Sequence, residues 1–172
     1  MANKEALREL QSRLAERLSA ARTQERGKSW LAVECSARGF LLPLREAGEI
    51  FALAPLQPVP HTHRWFLGVS NLRGHLHGVV DLAAFLGIKT GDAARDQARL
   101  VGFNPRFELN CALMVDRLSG LRSEEHLTPV ADDHAPRPGF VGLRYRDAAG
   151  RLWQELNLAE LAGDETFLRI VG

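Results

Sequence analysis

Features that would mark a particular class of protein are scarce in this sequence. Only two cysteines occur among 172 residues, and Cys35 and Cys111 each lie in an apolar stretch, which favours buried free thiols over a disulfide. Apolar runs are short and broken by charge, so we expect no membrane-spanning segment. The N-terminus, MANKEALREL, is charged where a signal peptide needs apolar residues, and we therefore expect a cytoplasmic protein.

The sequence also lacks an excess of either charge. Lysine and arginine total 22 and aspartate and glutamate 21, for a net charge of +1. This balance gives no reason to expect nucleic acid or an anionic membrane as the main partner. A chain of this length can bury roughly 70% of its unfolded surface, so neither a disulfide nor a metal is needed for folding.

One long helical pattern covers residues 4–26. Its apolar residues recur three and four apart on one stripe: Leu7, Leu10, Leu14, Leu18 and Ala21. We expect this stripe to pack on the rest of the protein, and a coiled coil with a partner is the alternative. We interpret residues 1–28 as an amphipathic helical extension of a domain that spans residues 29–172.

Beyond Gly27, short alternating segments predict β-strands. WLAVEC and FLLPL flank the polar turn SARG, and FLGVSNL and HLHGVV flank a turn at Arg73–Gly74. A polar segment at 89–97 predicts a linker between two halves of similar plan. Short strands with glycines between them favour small closed or partly closed barrels over an open α/β sheet. We therefore predict a mainly β fold with two lobes and a few short helices.

Catalytic and metal-binding patterns are weak. His61 and His63, and likewise His75 and His77, stand two apart, a spacing that suits metal ligation on a strand, so a metal-dependent hydrolase is one alternative. No further ligand is required by the spacing, and no serine lies in a nucleophile elbow. Asp81 begins the segment DLAAFL and fits a helix N-cap better than a catalytic carboxylate. We expect no catalytic residue, no metal and no cofactor.

The segment GVSNLRGHLHGVVDL holds the most informative turn. Arg73 projects where the backbone turns, and Asn71 and Gly74 both tolerate the positive φ that such a turn requires. A guanidinium held by a rigid scaffold offers five fixed donors. Arg73 is therefore either an internal tie between lobes or a contact to a partner, and the residues alone leave both open.

Several segments together resemble the CheW-like adaptors of bacterial chemosensory arrays. FLGVSNLRGHLHGVVDLAAFLGI is similar to the family's central motif, WLAVECSARGFLLPLREAGEI to its opening hairpin and next strand, and ALMVDRLSGL and FVGLRYRDAAGRLWQELNLAEL to segments of its second half. The resemblance covers roughly residues 29–170. VPHTHRWFLGVSNLRG and the leading helix most resemble the adaptors of type IV pilus (twitching motility) systems.

The resemblance implies two packed, five-stranded SH3-like barrels and no catalytic activity. It implies an adaptor that binds the cytoplasmic tip of a membrane chemoreceptor and a CheA-type histidine kinase. A scaffold or kinase inhibitor that binds no receptor is the alternative within this fold. By position, the resemblance assigns partner contact to Asn71, Leu72, Arg73, Gly74, Leu44, Ala47 and Glu49. Ala47 stands where a larger apolar residue is usual.

Overall fold

The protein is described by a computed structural model that covers residues 2–25, 27–91 and 95–172. Four α-helices and eleven β-strands follow one another in these parts of the chain. They are α1 (Ala2–Glu25), β1 (Ser29–Cys35), β2 (Arg38–Pro43), β3 (Ala47–Ala52), β4 (Phe66–Leu72), β5 (His75–Asp81), α2 (Leu82–Phe85), β6 (Arg99–Phe103), β7 (Cys111–Val115), β8 (Arg117–Ser123), β9 (Thr128–Pro129), β10 (Val141–Arg146), β11 (Leu152–Leu156), α3 (Leu158–Ala162) and α4 (Glu165–Leu168).

The strands form two sheets, each the basis of one lobe. A six-stranded sheet has the order β8-β1-β2-β11-β10-β9, and a five-stranded sheet has the order β3-β6-β7-β5-β4. Gln57 and Val69 exchange backbone hydrogen bonds of 2.8 and 2.9 Å. This bridge brings the chain that follows β3 to the opposite edge strand, β4, and curls the five-stranded sheet into a partly closed barrel. The predicted mainly β fold with two lobes is confirmed, although one sheet has six strands.

The chain does not divide into lobes at the segment 89–97, and this corrects the two-half interpretation. The segment leads from β5 and α2 to β6, and β5 and β6 belong to the same five-stranded sheet. Residues 92–94 of this segment lie outside the described part of the chain. The first two strands instead pair with β8 and β11 from the second half. Polar composition marks an exposed connection, but it carries no information about which strands pair.

The largest cluster of buried side chains lies between the two sheets. Leu31, Val33 and Leu42 of one sheet pack there with Val80 and Leu113 of the other. Each sheet also has a smaller core on its outer face. In the six-stranded sheet this outer core includes Trp30 and Ala32 of β1. The alternation in WLAVEC therefore separates two buried faces and not a buried face from an exposed one.

The leucine stripe of α1 stays exposed, so the expected packing on the rest of the protein is wrong. Leu7 and Leu10 are each 56% exposed, Leu14 is 51% and Leu18 62%. The side chain of Ala21 lies outside the described residues. Helical periodicity indicates that a stripe exists, but the choice of neighbour depends on surfaces that other elements offer. In the described residues, no helix is long and apolar enough to cross a bilayer.

Asp81 fills the role predicted from its position. Its carboxylate accepts a hydrogen bond from the backbone N–H of Ala84 at 3.2 Å and caps α2. Its second oxygen accepts from the Lys89 ammonium at 2.8 Å. With 3% of its surface exposed and both oxygens bound, Asp81 stabilises the end of β5 and the start of α2.

The two cysteines are free and buried, as predicted. Burial raises the pKa of Cys35 to about 12 and that of Cys111 to about 12. Very little of either thiol is therefore in the reactive thiolate form at pH 8. The two side chains belong to the core between the sheets.

We expect a thiol-specific chromogenic reagent at pH 8 to label the native protein at least about tenfold more slowly than the denatured protein. In denaturant, two thiols per chain should react. The measurement is the absorbance of the released chromophore against time. Rapid labelling of both thiols without denaturant would contradict the burial of Cys35 and Cys111.

Candidate functional site

The turn between β4 and β5 is a two-residue hairpin loop with a left-handed backbone. Leu72 pairs with His75, and the residues between them, Arg73 and Gly74, have φ values of 50° and 82°. Two successive positive φ values match the twist of the flanking strands. Arginine rarely adopts this conformation, because its Cβ crowds the backbone there.

Asn71 stabilises this turn through its side chain and not through its backbone. Its Oδ1 accepts a hydrogen bond of 2.8 Å from the backbone N–H of Gly74, while its own backbone continues β4. Gly74 has one of the positive φ values that the turn requires, and Arg73, not Asn71, has the other. Asn71 thus helps to hold Arg73 in a backbone geometry that arginine does not favour.

Arg73 forms an ion pair with Glu49 of β3. β3 and the β4–β5 turn belong to the same five-stranded sheet. The pair therefore ties two parts of one lobe together, and the alternative of a tie between lobes is corrected. The Arg73 side chain is 73% exposed and that of Glu49 44%. An ion pair this exposed contributes only about 0–1 kcal/mol to stability, since water and salt screen it. The pair therefore orients two charges at the surface more than it stabilises the fold.

The ion pair lies at an open groove of about 290 Å³. Phe51 of β3 and His77 of β5 form part of the lining, with ring centroids 5.6 Å apart. Glu108, from the loop before β7, lines it as well. The groove combines charged groups with an aromatic surface, a mixture that is common where proteins meet.

Other candidate residues differ in how accessible they are. Leu72 is 4% exposed and packs in the core on the outer face of the five-stranded sheet, although it also lines the groove. Its contact with a partner stays a prediction. Ala47 is partly buried against the central core. Leu44 is 43% exposed, and neither residue lines the groove. Contact by Leu44 and Ala47 stays a prediction.

Sequence reasoning missed three residues near the turn. Phe51 and Glu108 line the groove, and Leu76, next to His75, is 63% exposed. Strand alternation in EIFAL could have placed Phe51 on the face of Glu49. Glu108 follows a short 3-10 turn and has a φ of 52°. Its place at the groove depends on pairing of β6 with β3, which no local pattern reveals.

The histidine pairs have separate surroundings. His63 stacks on Trp65 with ring centroids 5.3 Å apart, whereas His77 Nδ1 lies 3.0 Å from the carbonyl oxygen of His75. Within residues 2–25, 27–91 and 95–172, no three histidine, cysteine, aspartate or glutamate side chains form a group suited to a metal ion. The hydrolase alternative therefore has no metal-ligand cluster to support it in the described chain.

The chain is a two-lobed β scaffold with an exposed charged turn, and comparison with known families shows which class of proteins shares this architecture. The sequence model of the CheW-like domain matches residues 29–166, and the chain therefore belongs to the CheW-like family. Members of this family are non-catalytic scaffold proteins that in general couple receptors to CheA kinases.

Among individual relatives, Protein PilI of Pseudomonas aeruginosa is 26% identical over 148 residues, which cover 81% of each chain. Chemotaxis protein CheW of Rhizobium meliloti is 28% identical over 116 residues, or 62% of this chain and 68% of that protein. The crystal structure of the scaffolding protein TtCheW from Thermoanaerobacter tengcongensis superposes with a TM-score of 0.62 at 18% identity, over 76% of this chain and 88% of that one. The last comparison confirms the fold.

We expect Asn71→Ala to lower the free energy of unfolding by about 1 kcal/mol, because the Gly74 N–H loses its acceptor. Urea unfolding followed by tryptophan fluorescence measures the change. Asn157→Ala is the matched control: Asn157 precedes α3 but makes no side-chain capping hydrogen bond, so its effect should stay within about 0.5 kcal/mol. Equal effects of the two substitutions would contradict the role given to Asn71.

Proposed function

We propose that this protein is a chemosensory coupling adaptor that links the cytoplasmic tip of a membrane chemoreceptor to a CheA-type histidine kinase. Membership of the CheW-like family over residues 29–166 is the observation that carries this proposal. Similarity to PilI across 81% of the chain supports a type IV pilus pathway as the one that the adaptor serves. In this role the protein works in the cytoplasm, beside the membrane that holds its receptor.

The architecture suits a protein that is bound from two sides. Both sheets share one core, so the surfaces of the two lobes have fixed relative positions as long as that core stays packed. A rigid scaffold loses little conformational freedom when a partner binds. Receptor state can then alter how kinase and adaptor sit together, and the adaptor contributes coupling free energy without chemistry.

We assign partner recognition to the groove at the β4–β5 turn. Arg73 and Glu49 present opposite charges side by side at its rim, and Phe51 supplies apolar surface within it. Charges at the rim of an interface select the correct partner and its register more than they add affinity. Leu76 adds an exposed apolar side chain beside the turn.

Arg73 remains accessible while it is paired with Glu49, so one residue can serve as internal tie and as partner contact. The guanidinium has five N–H donors, and its side chain is 73% exposed. Donors that Glu49 does not occupy are free for a carboxylate or backbone carbonyl on the partner. We therefore propose that an acceptor group of the partner contacts the Arg73 guanidinium directly.

The function predicts a three-component complex. We expect the purified protein to co-elute from size-exclusion chromatography with a CheA-type kinase and the cytoplasmic fragment of a pilus-system chemoreceptor from the same organism. Deletion of its gene should abolish twitching motility and leave flagellar swimming intact. Failure to bind either component would refute the adaptor role, and loss of swimming alone would assign the protein to a flagellar pathway.

A charge exchange separates the two roles of Arg73. Arg73→Glu should weaken binding to the kinase or receptor by at least about 1 kcal/mol, measured by isothermal titration calorimetry. The double variant Arg73→Glu with Glu49→Arg restores an internal ion pair but reverses the charge that the partner meets, so we expect it to remain weak.

Arg146→Glu is the control for this exchange, because Arg146 is exposed on β10 of the other sheet. It should bind at least one of the two partners as the unchanged protein does. Full recovery of binding in the double variant would mean that Arg73 acts as an internal tie alone.

A further inference from the structure

The exposed stripe of α1 lies outside the groove and outside the CheW-like match, which begins at residue 29. Its four leucines are between 51% and 62% exposed, and every described side chain from residue 4 to residue 18 is exposed. Helices in proteins gain most of their stability from packing an apolar face on a neighbour. A surface of this kind suits contact with another molecule.

Basic and acidic residues occupy different faces of α1, and their positions indicate which charge a partner should have. Each residue advances the helix by about 100°, so Glu5, Glu9 and Glu16 all fall on the face opposite the leucines. Lys4 and Arg17 instead border the leucine stripe, one on each side. Among residues 4–18, the two charged residues nearest the leucines are thus basic, all three glutamates lie on the reverse, and the other two arginines lie between.

Within the described side chains of α1, Arg13, in contrast to Lys4 and Arg17, is paired with an acidic residue of the same helix. It lies farther from the leucines than Arg17 does, and its guanidinium donates to the Glu9 carboxylate at 2.9 Å. The charges of Arg13 and Glu9 thus neutralise each other on the polar side of the helix. Within the side chains from residue 4 to residue 18, Lys4 and Arg17 make no ion pair.

We propose that α1 binds a partner α-helix whose own leucine-type seam is bordered by glutamate or aspartate. Leu7, Leu10, Leu14 and Leu18 recur three or four residues apart on one face, as in helices that pack on a neighbour. The positive charges of Lys4 and Arg17 beside that face attract acidic side chains. A second copy of α1 offers no acidic border to Lys4 or Arg17, because its glutamates among residues 4–18 lie on the reverse face. A membrane surface fits less well, because the stripe is narrow and α1 has no aromatic residue to anchor it.

The test uses the full-length protein and two designed helical peptides as probes. Both peptides have the length of α1 and a leucine seam at its spacing; one has glutamates and the other lysines on both borders. Fluorescence anisotropy of the labelled peptides measures affinity. We expect the glutamate peptide to bind at least tenfold more tightly, with a preference that shrinks as salt is added.

Two sets of variants locate the contact. Leu10→Asp should abolish binding of the glutamate peptide, whereas Ser12→Asp, which adds the same charge on the acidic face, should leave it within twofold. Lys4→Glu with Arg17→Glu keeps every leucine and should transfer the preference to the lysine peptide. Circular dichroism checks that each variant retains its helix.

Three outcomes would overturn the proposal. One is equal affinity for the two peptides. Another is a dimer of the protein that sedimentation detects and Leu10→Asp removes, which would make a second copy the occupant. The third is co-sedimentation with phosphatidylglycerol vesicles that depends on Leu10, which would make the stripe a membrane-binding surface. None of these results bears on kinase or receptor binding at the groove.

Discussion

The molecule depends on the apolar core that its two sheets share. Leu31 and Leu42 from one sheet and Val80 and Leu113 from the other pack in it, together with Leu158 of α3. Close packing makes such a core intolerant of displacement. The two lobes therefore act as one body, and a surface on either lobe keeps its position when a partner binds the other.

This constraint explains how a strained turn can be used for recognition. Arginine at a positive φ is unfavourable by itself, and the hydrogen bond from the Gly74 N–H to Asn71 helps to hold it. Leu72 anchors the same turn in the outer core. The exposed guanidinium is therefore held in a fixed position by a rigid turn. Selective recognition of a charge requires such a fixed geometry.

The two proposed binding surfaces differ in physical character. The groove at the β4–β5 turn has a fixed shape, opposite charges and one aromatic wall, and it belongs to the CheW-like domain. The α1 stripe is linear, apolar and bordered by basic residues. The two surfaces share no residue, so a substitution in one leaves the side chains of the other unchanged.

Local features of the sequence determined the strands, the hairpin turns and the cap at Asp81, because each depends on residues only a few positions apart. The motif around Arg73 was recognisable for the same reason. Together with the short alternating strands, it indicated a two-lobed β fold. Long-range geometry decided the rest. Pairing of β1 and β2 with strands of the second half, the meeting of Glu49 with Arg73, the burial of Leu72 and the exposure of the α1 leucines all depend on which surfaces become neighbours. A chain's periodicity tells which face of an element is apolar, but the packing of the whole molecule decides what that face meets.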